Sequence, residues 1–162
     1  RLETASAELL DRIHDGLYQK AKQNLDSHTW AVSSLEEAKE KVRKEFFPTR
    51  GMGRLSLSSA KSVIAAFKRV YKDPAMVLDL QLYYVENGVE FTNAYGDISE
   101  PFYNSMGSVY HTVTETLNKL NDEKLFQKFS KRLKAVLDET DGIGWGFNED
   151  LSDSYYSLKW VE

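Results

Sequence analysis

Between Asp73 and Asn104 the chain reads DPAMVLDLQLYYVENGVEFTNAYGDISEPFYN, and this stretch restricts the fold more than any other. Laid on a helix, Met76, Val77, Leu78, Leu80, Leu82, Tyr83, Tyr84 and Val85 cover nearly every side. A helix that is apolar all round must be touched by neighbours on several sides, so it belongs in the middle of the molecule. Asp73-Pro74 begins it, with proline at a favoured first-turn position. Gly88 lies inside it without a stop signal, so the helix continues or kinks there and reaches Tyr95-Gly96. Past Val85 the segment turns polar, placing Glu86, Glu90, Asn93 and Asp97 at steps of three to four.

The flanking sequence supplies the neighbours. Leu9, Leu10, Ile13, Leu17, Ala21 and Leu25 form a helical stripe over residues 5–25, followed by a connection in which Trp30 folds back as an anchor. Ser34 precedes Glu37 by three, the spacing of a capping box, and opens a helix through Leu35, Ala38, Val42 and Phe46. Phe47 to Gly53 holds a proline and two glycines and reads as a break. Ser56 or Ser58 caps a helix carrying Ala60, Val63, Ile64, Phe67 and Tyr71. After the central helix, Asp97 or Ser99 caps a long one through Phe102, Met106, Tyr110, Val113 and Leu117, and Asn121-Asp122 turns into another through Phe126, Phe129, Leu133 and Val136. Gly142, Gly144 and Gly146 stop that helix, with Trp145 and Phe147 packing over the bundle. A short helix capped by Asp150 or Ser152 ends the chain.

Period-two alternation is confined to a few residues, so the expected class is all-α. About seven helices form antiparallel hairpins packed around a central apolar helix, with a helical-repeat array as the variant. No fixed-period repeat is visible. The 162 residues suit a single domain, 1–162, made of an N-terminal hairpin over 1–46 and a main bundle over 54–162. No run approaches the roughly 18 apolar residues of a membrane span. The chain has no cysteine, which removes disulfides, thiol catalysis and thiolate metal sites. With no signal-peptide core at RLETASAELL, this fits a cytoplasmic protein.

The net charge of −4 conceals a division. Residues 1–72 carry 14 Lys and Arg against 9 Asp and Glu, whereas residues 73–162 carry 7 against 16. Residues 39–72 have ten basic and two acidic side chains, and residues 73–118 have seven acidic ones and no Lys or Arg. The plainer reading is that the two blocks meet and neutralise each other in the fold or across a dimer. The alternative is a surface for nucleic acid through Lys41, Arg43, Lys44, Arg50, Arg54, Lys61, Lys68 and Arg69, although no recognised RNA- or DNA-binding motif accompanies them.

Two readings compete for the acidic stripe as well. Glutamates four apart repel by a few tenths of a kcal/mol, so a cation beside them is welcome. Oxygen ligands from Glu86, Glu90, Asn93 and Asp97, joined by Glu100 or by Asp141, Asp150 and Asp153 from the tail, would suit a divalent metal and metal-assisted hydrolysis. The simpler assignment is a stripe facing water or the basic 39–72 segment, and no cofactor is predicted. The Glu-x-x-His pair of di-metal bundles does not occur. His14, His28 and His111 form no ligand spacing, and Ser105 and Ser108 around Gly107 do not make a nucleophile elbow. Gly142-x-Gly144-x-Gly146 follows a helix and lacks the Lys-Ser/Thr of a phosphate loop, so a helix stop accounts for it better.

Several blocks carry a resemblance: Glu45-Phe46-Phe47-Pro48, Ala60-Lys61, Tyr84 through Asn93, Tyr95-Gly96-Asp97-Ile98, Glu100 through Ser105, and Gly142 through Phe147. From about residue 45 to 156 the chain resembles an uncharacterised bacterial family of small helical proteins, a domain of unknown function. The resemblance implies a helical fold and no activity. Residues 9–37, from Leu9-Leu10-Asp11-Arg12 to Ser33-Ser34-Leu35-Glu36-Glu37, look like the helix leading into the C-terminal region of prolyl-tRNA synthetases, without that enzyme's catalytic motifs. The resulting expectation is a non-catalytic binding or protein-interaction module that engages a protein partner or itself. Its working surface combines Glu86, Glu90, Asn93, Asp97, Glu100, Tyr103 and Asn104 with the Trp145 loop and Asp150 and Asp153 behind it.

Overall fold

The computed structural model describes residues 34–49 and 55–162. The chain divides into two compact units, Arg1–Ala31 and Val32–Glu162, and the described helices belong to the second. The helix expected at 5–25, the Trp30 anchor, His14, His28, Arg50 and Arg54 lie outside the described residues, as does most of the expected 1–46 hairpin.

Six helices make up the described residues: α1 Leu35–Phe46, α2 Leu57–Val70, α3 Pro74–Tyr95, α4 Glu100–Leu120, α5 Glu123–Glu139 and α6 Phe147–Tyr156. Five start on a short polar side chain that accepts from a free backbone amide. Ser34 takes Glu37 N, Ser56 takes Ser59 N, Asp73 takes Ala75 N, Ser99 takes Phe102 N and Asp122 takes Leu125 N. Each such cap stabilises by about 1 kcal/mol. Pro74 and Pro101 sit in first turns, where no intrahelical donor is lost. The last helix departs from expectation. It begins at Phe147 and is preceded by Gly146, with no side-chain cap, so Asp150 and Ser152 lie inside it.

The central helix is confirmed. Helix α3 packs against α1, α2, α4 and α5. Leu78, Leu80, Leu82, Tyr84, Val85 and Val89 are buried on several of its sides. The extensive helix contacts all join helices adjacent or next-but-one along the chain: α1 with α2 and α3, α2 with α3, α3 with α4 and α5, and α6 with α4 and α5. That pattern belongs to stacked helical hairpins, in which each unit touches its neighbours only. Helices α1, α3 and α5 are therefore consecutive neighbours, with α3 in the middle. No described helix is long and apolar enough to cross a membrane.

Gly88 neither stops nor breaks α3, because the reason for glycine there is steric. A Cβ at this position would stand 2.1 Å from Sδ of Met106, which is itself fully buried on α4. The absent side chain lets α3 and α4 approach closely. Overpacking a core typically costs 1–3 kcal/mol, so Gly88→Val is expected to lower the unfolding free energy by about 2 kcal/mol in urea titration. Adding Met106→Ala to that chain should recover part of the loss. An unchanged midpoint for the single variant would mean the two helices separate freely.

Candidate functional site

The acidic stripe of α3 does not form one open surface. Its members turn to different partners, on α1, on α5 and around the turn to α4. Glu86 receives two hydrogen bonds from Arg132 on α5, Nε to Oε1 at 2.7 Å and Nη2 to Oε2 at 2.8 Å. Glu90 is held in the same two-pronged way by Arg43 on α1, at 2.8 and 2.9 Å. Asn93 donates to the Glu139 carbonyl at the end of α5. Asp97, just past α3, lies in the turn to α4. The stripe does meet basic residues, but from both flanks: Arg43 comes from the expected 39–72 block and Arg132 from the opposite side.

Two residues absent from the sequence-derived set complete this ladder. Asp79, two turns before Glu86, is bonded by Arg132 at 2.6 Å and paired with Lys39 at 2.9 Å, so one carboxylate joins α1 and α5 across α3. Asn87 is buried, accepts from Arg43 at 2.8 Å and donates to the Tyr83 carbonyl. Burial works against the charge on Asp79, but the bonds from Lys39 and Arg132 outweigh it and hold the carboxyl below its usual range. Burial likewise disfavours the Arg132 cation, and Glu86 and Asp79 more than offset this, so its pKa is raised. The Arg43 bond holds Glu90 below the usual carboxylate range. Seven-residue spacing puts Asp79 and Glu86 on one helix face, which was the available sequence signal. Nothing in the basic run of α5 singled out Arg132 as their partner.

The remaining polar residues gather around the turn between α3 and α4. Tyr103, only 2% exposed, donates its hydroxyl proton to Asp97 Oδ1 at 2.7 Å and accepts from Ile98 N. Thr92 Oγ1 lies 2.8 Å from the same hydroxyl and donates to the Gly96 carbonyl. The indole Nε1–H of Trp145 bridges both Asp97 oxygens, at 3.0 and 2.9 Å. The bonds from Tyr103 and then Trp145 lower the pKa of Asp97, so it is a carboxylate at neutral pH. Asp97 and Trp145 thus lie together, as the sequence reading required.

Trp145 itself is a correction. It does not pack over the bundle but is 58% exposed, and its φ of 65° is left-handed. Bulky residues rarely adopt that conformation, which costs about 1–2 kcal/mol. Gly146 follows with φ 67°, so two successive left-handed residues turn the indole away from the core. The loop is anchored on either side of this point. Phe147, 2% exposed, sits with its ring 5.0 Å from that of Tyr103, and Asn148 donates to the Leu137 carbonyl and to Thr140 Oγ1. Tyr95, 67% exposed, closes α3 beside this turn, its ring 4.8 Å from that of Phe91.

Of the other candidates, Glu100, Asn104, Asp150 and Asp153 are exposed on α4 and α6. The Asp150 carboxylate lies over Gly107 of α4. Among the described residues no group of three or more His, Asp or Glu side chains converges as a metal would require. On the basic side, Lys41 pairs with Glu37, Arg43 with Glu90 and Lys44 with Glu40, whereas Lys61, Lys68 and Arg69 are exposed on α2.

Neither a curated protein nor a solved structure shows a significant match to the chain, so the synthetase likeness of residues 9–37 gains nothing from that side. A protein family does match, over residues 17–157, which contains the stretch of about 45–156 expected from the sequence and extends it toward the N-terminus. The chain belongs to that family, described as a family of unknown function (DUF6155).

Proposed function

We propose that the protein is a non-catalytic docking module whose working surface is the Asp97–Trp145 end of the bundle, and that it takes a cationic side chain of a partner protein. The observation that carries this reading is Trp145, a large ring kept out of the core in a strained conformation by a charged carboxylate. Non-glycine residues in left-handed conformations concentrate at ligand clamps and other functional sites, and tryptophan is enriched among binding hot spots. An Arg or Lys laid on the indole face gains cation–π attraction, with Asp97 beside it as counter-charge.

The surroundings favour the same sign. Residues 135–158 hold six Asp and Glu and no Lys or Arg, and residues 73–118 hold none either. These two segments supply the turn, the Trp145 loop and α6. Catalysis draws no comparable support. Shifted groups among the described residues move away from neutrality: Asp79, Glu90 and Asp97 downward, Arg43, Arg132 and Lys134 upward, and burial pushes the Tyr84 hydroxyl up to about 12. General acids and bases work best near the operating pH. Of the carboxylates proposed for a divalent metal, Glu86, Glu90 and Asp97 are already engaged with guanidinium groups or the indole.

The test is an NMR titration of the tryptophan indole N–H signals, with Trp145 identified by Trp145→Phe. Octapeptides alternating glycine with arginine should move the Trp145 signal, and their glutamate counterparts should not. Asp97→Asn should weaken the arginine peptide about tenfold, or about 1.4 kcal/mol. A Trp145 signal indifferent to the cationic peptides, or responding equally to the acidic ones, would remove this surface from consideration.

A further inference from the structure

We infer a second, separate binding surface: the outer face of α2 engages the phosphate backbone of double-stranded nucleic acid without reading its sequence. The structure narrows the basic 39–72 block sharply. Lys39, Lys41, Arg43 and Lys44 on α1 are each paired with a carboxylate, so their charge is largely neutralised where it stands. Helix α2 differs. No Asp or Glu occurs between Glu45 and Asp73, and Lys61, Lys68 and Arg69 are exposed, as is Lys72 just beyond the helix end.

These cations share a face. Lys68 follows Lys61 by seven residues, two helical turns, with Arg69 adjoining; Lys72 lies past the helix end. Lys72 donates to the Lys68 carbonyl, which turns its ammonium back over the helix end. The exposed positions between Lys61 and Lys68 are Ser62 and Ala65. Small side chains there leave room for a rigid backbone to lie close to the helix while longer cations reach to either side. From Lys61 to Arg69 the helix rises about 12 Å at roughly 1.5 Å per residue, which matches three to four successive phosphates at about 3.4 Å per strand step.

Composition selects the partner. Between Lys61 and Arg69 the face has no aromatic ring, so it lacks the stacking platform that single strands use; Val63, Ile64 and Phe67 are buried on the opposite side, and Val70 is exposed at the helix end. A lone valine supplies neither the aromatic anchor of a protein hot spot nor an insertable face for a bilayer. What remains is charge, small residues and a straight rise, which suffice for backbone contact alone.

The experiment is fluorescence anisotropy of a labelled 16-base-pair duplex of arbitrary sequence, titrated with the whole chain over a salt series. Binding should weaken with salt at a slope of about −3 in log K against log salt, given three to four contacts at roughly 0.9 each. Lys61→Gln and Arg69→Gln should each flatten that slope by about 1, and Lys61→Glu with Lys68→Glu should abolish binding. Lys44→Gln, which removes a cation already paired on α1, should leave it unchanged. The inference is overturned by a slope near zero or by Lys44→Gln acting like the α2 variants. It is equally overturned by tighter binding to a single strand of equal length, by binding to vesicles of 30% phosphatidylserine in place of the duplex, or by a salt-sensitive self-association that the same substitutions remove. Circular dichroism of each variant separates lost binding from lost fold.

Discussion

Phe147→Ala is expected to cost about 3–4 kcal/mol of unfolding free energy, the largest loss of any single change at the Trp145 end. Truncating a buried phenylalanine removes its transfer energy and leaves a cavity that collapses only partly, a combination that usually costs 3–5 kcal/mol. Phe147 is almost wholly buried, its ring lies against Tyr103, and it opens a helix with no side-chain cap. Little else at that end of α6 substitutes for it. Trp145→Gly makes the telling comparison. The change removes the indole's hydrogen bond to the Asp97 carboxylate, which is weakened by its exposure to solvent. Glycine at the same time relieves the left-handed backbone, and the two effects should nearly cancel, to within about 1 kcal/mol. Urea denaturation of both variants, run beside the peptide titration, separates a displayed tryptophan from a structural one. If Trp145→Gly destabilises as much as Phe147→Ala, the indole is holding the fold, and the docking reading loses its main support.

Arg132→Ala should lower stability by about 2–3 kcal/mol at neutral pH. Exposed ion pairs contribute at most about 1 kcal/mol, but removing one partner of a buried pair costs about 3–5. Arg132 and its two carboxylates lie between these limits, with side-chain exposures of 32%, 29% and 17% for Arg132, Glu86 and Asp79. The loss arises because Glu86 and Asp79 keep their charge in a half-buried place, with Lys39 left as the one cation on Asp79. A concerted change to apolar residues at all three positions should therefore recover most of it. The pH dependence has a definite sign. The folded pKa of Asp79 is depressed, so its contribution is complete above the unfolded value of about 4 and is lost as pH falls through the folded one. In Arg132→Ala the depression shrinks, so wild type and variant should converge in stability below about pH 4. A gap that stays constant down to pH 2 would show that Arg132 acts through the packing of its methylene stem.

The fold was legible in particular residues because local chemistry sets it. Ser34 announces its helix by a capping box, Ser56 and Ser99 are each one of two cap candidates that the structure selects, and the all-round apolar run from Met76 to Val85 demands neighbours wherever it lies. The start of α6 was misread because Asp150 and Ser152 look like caps, whereas burial of Phe147 against Tyr103, a contact made 44 residues apart in the chain, begins the helix earlier. The candidate site was legible only in part. Asp97, Tyr103 and Trp145 meet as expected, but Glu86, Glu90 and Asn93 go to other partners. Helical spacing says which residues share a face and is silent on what stands opposite.

By itself, the order of residues determined an all-helical chain, its central helix and the separation of acidic from basic segments, since periodicity, capping and composition act over a few turns. Only the tertiary structure decided that Arg132 and Arg43 grip the α3 carboxylates from opposite flanks, that the α2 cations pair with no carboxylate among the described residues, and that Trp145 stands outside the core. Those outcomes depend on which helices lie beside one another, and burial of their apolar faces chooses the neighbours before any charged pair can form.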